Sequence, residues 1–168
     1  MRGPGRRGPG GMLRLTLVPL TLLVLHFWLR PRLGDPRLTP DFLLLALLVV
    51  AMRVRPGVGA VAGFLVGLAV DAVAPTSFGA GALAGTTVGF VSGWVRTLLV
   101  ADNILVSALF VFGAAWGRDL IQVVASNQLA GRALLWQLIA LSPAAALGTT
   151  VVGVVVLLLP GRWSGGRE

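Results

Sequence analysis

The chain has 168 residues, of which 56% are hydrophobic and only 12% charged. A soluble domain carries roughly 25% charge, and a chain this short cannot hide so much apolar surface in one core. Soluble globular and disordered classes are therefore excluded in favour of a polytopic membrane protein, and the net charge of +8 needs a reading other than nucleic-acid binding. All 14 basic residues are arginine and lie between apolar runs rather than along one face, as expected if they orient helices in a bilayer.

Residues 1–11 contain only Gly, Pro and Arg after Met1 and are expected to be disordered. A transmembrane helical domain is expected over residues 12–160, followed by a polar tail at 161–168. The first apolar run, Met12 to Leu29, is close to the minimum for a spanning helix. No small-residue cleavage site follows it, so it reads as a retained span. The loop at 30–40 carries Pro31, Gly34, Pro36 and Pro40. The second run, Phe42 to Met52, is too short to cross alone and is either re-entrant or extended by snorkelling of Arg53 and Arg55. Pro56-Gly57 precedes the third run, Val58 to Ala74, and a turn at Pro75–Gly79 leads to the fourth, Ala80 to Val100. Asp102-Asn103 caps the fifth, Ile104 to Val124. The sixth runs from Ala133 to Leu159, with a kink expected at Pro143.

The expected fold is thus an all-α bundle of about six transmembrane helices. With both termini cytoplasmic, nine arginines fall inside (Arg2, Arg6, Arg7, Arg14, Arg53, Arg55, Arg96, Arg162, Arg167) and five outside (Arg30, Arg32, Arg37, Arg118, Arg132). A start at Met12 would reduce this margin to six against five.

Gly59, Gly63 and Gly67 recur every four residues in the third run, and Gly81, Gly85, Gly89 and Gly93 do so in the fourth. In lipid, helices associate through close backbone approach and dispersion, which glycine permits. The two ladders either pack on each other or leave one as a groove for a partner helix. Gly113 and Gly117 offer a further close contact on the fifth helix.

Polar residues within apolar runs are candidates for interaction. Asp41 opens the second run, and Asp71 continues the first ladder by one four-residue step, where it either caps the next segment or serves a partner. Arg118 and Asp119 interrupt the fifth run, and Gln122 and Ser126 share a face with Arg118. His26 reads as interfacial rather than as a ligand, and the tryptophans near run ends read as an aromatic belt. No HExxH, GxSxG or P-loop is present, and no two acidic residues lie within four positions of each other. Catalytic, metal and cofactor sites are not expected, and the chain reads as a non-enzyme.

The stretch from Thr39 to Trp94 resembles the rod shape-determining protein MreD family. Pro40-Asp41 before an apolar run, Arg53 and Arg55, the segment Gly59 to Asp71 with Gly63 and Gly67, and the Phe78-Gly79 turn carry the likeness. The resemblance implies a non-enzymatic protein of the bacterial inner membrane that belongs to the cell-elongation machinery. Its implied partners are the scaffold MreC and, more broadly, MreB, RodA and an elongation transpeptidase, with a role in positioning side-wall peptidoglycan synthesis. The alternative is the substrate-binding membrane subunit of a vitamin transporter, which has similar size and helix number but requires a midplane cavity lined by polar groups.

Overall fold

The structure, a computed structural model, describes residues 9–29, 40–73, 78–95, 104–127 and 131–158. Those residues fold as six helical segments: α1 (Pro9–Leu29), α2 (Phe42–Ala51), α3 (Pro56–Val73), α4 (Ala80–Val95), α5 (Ile104–Ser126) and a sixth, α6, in three continuous pieces. These pieces are α-helical Gly131–Trp136, a π-helical turn Gln137–Leu141 and α-helical Ser142–Leu158. Among the described residues, three helices are long and apolar enough to cross a membrane: Pro56–Val73, Ile104–Ser126 and Gly131–Val156. The protein is an all-α membrane helix bundle. α1 opens at Pro9, so residues 9–11 of the segment expected to be disordered are helical, while 1–8 and the 161–168 tail lie outside the described residues. The expected cap at Asp102-Asn103 also lies outside them, as do residues 96–100 of the fourth run.

The centre of the bundle is its shortest helix. α2 has ten residues, about 15 Å at 1.5 Å per residue, or half a hydrocarbon core. Phe42 to Val49 and Ala51 are all buried, because α1, α3, α4, α5 and α6 surround it. A helix apolar on every side needs such an enclosure. It stops at Ala51 without extending through the arginines. The Met52, Arg53 and Val54 amides donate to the Leu48, Val50 and Ala51 carbonyls, which closes the helix and turns the chain into α3. Pro56 begins α3 at the position where a missing N–H costs nothing.

α3 buries only Gly59, Gly63, Gly67 and Asp71, a single four-residue stripe against α4. α4 buries two stripes. Gly81, Gly85, Gly89 and Gly93 meet α3, while Ala84, Val88 and Ser92 turn toward the rest of the bundle. Leu22 of α1, Val88 of α4, Val111 and Ala115 of α5 and Ala146 of α6 close around α2 as one apolar core. α5 ends at Ser126, and Asn127 follows in the left-handed conformation (φ 49°) that terminates helices.

The Pro143 position is resolved by the π turn. The Ser142 N–H donates to Gln137 O, five residues back, and passes over the Leu138 carbonyl. Pro143 has no N–H to offer that carbonyl. The indole Nε1–H of Trp116 in α5 donates to it instead, at 3.2 Å.

Candidate functional site: a glycine zipper and two helix-capping carboxylates

The two glycine ladders face each other in antiparallel register. Gly59 lies against Gly89, Gly63 against Gly85, and Gly67 against Gly81. A Cβ built on Gly63 would lie 2.6 Å from the Gly85 carbonyl carbon, and one on Gly67 would lie 2.6 Å from Ala82 Cα. A Cβ on Gly93 would lie 2.7 Å from Pro56 Cα at the far end. At Gly59, Gly63, Gly67, Gly85, Gly89 and Gly93 the nearest obstacle is main chain, which no rotamer can move aside, and at Gly81 it is the Asp71 carboxylate. The zipper therefore requires hydrogen at all these positions, and backbone dispersion substitutes for side-chain packing.

Asp71 terminates the zipper and is 1% exposed. Its carboxylate accepts from three backbone amides at the start of α4, those of Gly79, Gly81 and Ala82, each at 2.9 Å. A carboxylate on one helix thus satisfies orphan donors at the N-terminus of the next and sits at the positive end of its dipole. Gly79 makes the turn possible with φ +96°. Gly81 leaves room for the carboxylate, since a Cβ there would lie 3.0 Å from Asp71 Cγ. Of the two roles open to Asp71 from the sequence, the geometry is that of a cap.

A second carboxylate gathers four elements. Asp41 is the N-cap of α2, where its Oδ1 accepts from the Leu44 amide at 3.0 Å. Its Oδ2 accepts from Arg118 Nη1 of α5 in a close ion pair. Its own N–H donates to Thr149 Oγ1 of α6 at 3.1 Å, and the Thr149 hydroxyl donates to Ala145 O. His26 Nδ1 of α1 lies 3.9 Å from Asp41 Oδ1. Arg118 is eight residues before the end of α5, about 12 Å along the axis. It is thus well inside the helix and only 12% exposed. His26 is buried in this node, because α1 turns its Leu22 and His26 side inward while Leu20, Val24 and Trp28 face outward.

Arg118 and Asp119 point to different partners, as the 100° step between neighbouring helical residues requires. Asp119 accepts from the Ser142 hydroxyl just before Pro143. Arg118, Gln122 and Ser126 do not act as one stripe. Arg118 turns to Asp41, Ser126 Oγ donates to Val123 O within its own helix, and Gln122 is partly buried. Gly113 and Gly117 do not make the close contact expected of them. A Cβ on either would meet nothing within 4 Å, because they border an open groove between α4 and α5. Trp28, Trp94 and Trp136 are exposed at helix ends, where a membrane interface accepts them.

Asp41 before a buried apolar helix, the ladder ending in Asp71 and the Gly79 turn are the residues that carried the sequence likeness. The profile of the family described as rod shape-determining protein MreD matches residues 10–159. The chain belongs to the MreD family. The match takes in α1 to α6, so the rod-shape-determining classification applies to the whole bundle rather than to the Thr39–Trp94 stretch alone. No curated protein and no solved structure matches the chain.

The node could not be found by motif. Asp41 and Arg118 are 77 positions apart, and Thr149 is 108 from Asp41. The available signal was chemical: an arginine inside an apolar run requires a carboxylate, and Asp41 was one of few on offer.

Proposed function

We propose that this chain is a non-enzymatic component of the bacterial cell-elongation machinery that binds MreC and helps position side-wall peptidoglycan synthesis. The reading rests on its MreD membership together with one observation, the zippered α3–α4 pair. Ladder glycines and Asp71 are consumed inside that pair, so a partner meets its outer face. Val61, Phe64 and Leu65 of α3 and Leu83, Phe90 and Trp94 of α4 are exposed there on two helices in main-chain contact. A preorganised apolar face lowers the ordering cost of docking a second transmembrane helix.

Internal satisfaction of the polar groups supports assembly over vitamin transport. A half-length helix aiming its N-terminus into a bundle is an anion site in transporters. Here the helix's own Asp41 occupies that terminus. The groove between α4 and α5 and the one along α1 are walled almost wholly by apolar surface.

Affinity purification from cells expressing MreC tests the reading. Gly63→Leu or Gly85→Leu is expected to abolish MreC recovery while the protein still inserts, and Phe64→Ala with Phe90→Ala is expected to weaken it. Unchanged MreC recovery with both leucine variants, or a tightly co-purifying vitamin in place of MreC, would overturn it.

A further inference from the structure

The apolar groove between α4 and α5 encloses about 360 Å³ and is lined by Val88, Val91, Leu109, Phe110, Gly113 and Gly117, among others. Its two hydroxyl residues, Thr87 and Ser92, donate to the Leu83 and Val88 carbonyls of their own helix. Neither reaches across, so these two hydroxyls give α4 no polar hold on α5. Apolar contact alone holds helices weakly in a bilayer, because lipid tails replace it at little cost.

What fixes each wall lies elsewhere. α4 is bound to α3 by the zipper and by Asp71. α5 is tied to α6 by Trp116 to Leu138 and by Ser142 to Asp119, so the two form one unit. α2 is joined to α3 by the tight turn at Met52–Val54. Between these two groups of helices, Asp41 makes two polar links among the described residues, to Arg118 and to Thr149. Arg118 pairs with this carboxylate and the His26 imidazole lies beside it, with Nδ1 3.9 Å from Asp41 Oδ1. The Asp41 side chain is 22% exposed, whereas Asp71 in the zipper is enclosed. A single ion pair between side chains can part without moving a backbone contact, unlike the zipper.

We infer that the Asp41–Arg118 ion pair is a latch that holds α5 and α6 closed on α2 and so sets the width of the α4–α5 groove. This assignment stands on the geometry and is independent of which partner the protein binds.

The chain has no cysteine, so spin labels can be placed cleanly. Labels at Val91→Cys and Leu109→Cys report the groove, and labels at Val61→Cys and Phe90→Cys report the α3–α4 pair, in lipid nanodiscs by pulsed electron resonance. Asp41→Asn keeps a good N-cap for α2 but removes the charge. Together with Arg118→Gln, it is expected to lengthen and broaden the groove distance while the α3–α4 distance stays fixed. Arg118→Lys, which keeps the charge, is expected to retain the closed distance. Unchanged groove distances in both neutral variants would overturn the latch. Loss of the α3–α4 distance alongside would also overturn it, because the pair would then hold up the whole fold rather than one seam.

Discussion

Gly63→Ala adds a single methyl group in the middle of the α3–α4 zipper. That carbon would sit 2.6 Å from the Gly85 carbonyl carbon and 3.2 Å from the Thr86 nitrogen. Ordinary carbon contacts lie near 3.5–4.0 Å, so the helices must part by roughly 1 Å. Parting them loosens the Gly59–Gly89 and Gly67–Gly81 contacts and draws Asp71 away from the α4 amides. Overpacking of this kind costs about 1–3 kcal/mol. Each charge-assisted hydrogen bond weakened at Asp71 adds up to about 1.5–3 kcal/mol. A total loss of about 3 kcal/mol is the reasonable centre of these figures. Gly113→Ala supplies the matched control, because nothing lies within 4 Å of its new carbon. Exchanging glycine for alanine in a helix favours the helix by up to about 1 kcal/mol. Unfolding of both variants in mixed micelles, followed by tryptophan fluorescence, should separate them clearly, with Gly63→Ala the less stable. Equal stabilities, or a more stable Gly63→Ala, would refute the claim that main-chain contact holds this pair.

Asp71→Asn keeps the shape but replaces one acceptor oxygen with an NH2 group facing amide donors. A loss of about 2–4 kcal/mol is expected, since a buried hydrogen bond to a charge is removed and a donor is left facing a donor. Hydrogen exchange at Gly81 and Ala82 should accelerate first, and unaltered protection there would argue against the cap. Pro143→Ala restores an N–H to α6 and should let the π turn relax toward a regular helix, displacing the Trp116 indole from Leu138 O. A shifted Trp116 emission, assigned by comparison with Trp116→Phe, is the expected sign, and an unchanged spectrum would count against the account of the turn.

The helices were largely legible because apolar runs and Pro-Gly breaks mark them directly. Pro56-Gly57 and the Gly79 turn fall at the borders of α3 and α4. The ladders were visible too, since four-residue spacing survives in the sequence, and their register follows from an antiparallel hairpin with a short turn. The node was not legible. His26, Asp41, Arg118 and Thr149 come from four distant elements, and only the packing of α1, α5 and α6 around α2 brings them together. Nor could spacing separate Gly63, which touches main chain, from Gly113, which borders open space. The same pattern serves both, and the neighbouring helix decides. Pro143 announced a disturbance in α6 but not its form, because the π turn depends on Trp116 reaching across from α5.

The enclosure of α2 separates two jobs that most membrane helices perform at once. The outer helices must match the thickness of the lipid, and they can tilt when it changes. The ten-residue stub at the centre is screened from acyl chains by its own protein, so no bilayer dictates its length. A thicker or thinner membrane would lean the surrounding helices and leave this inner post as tall as before.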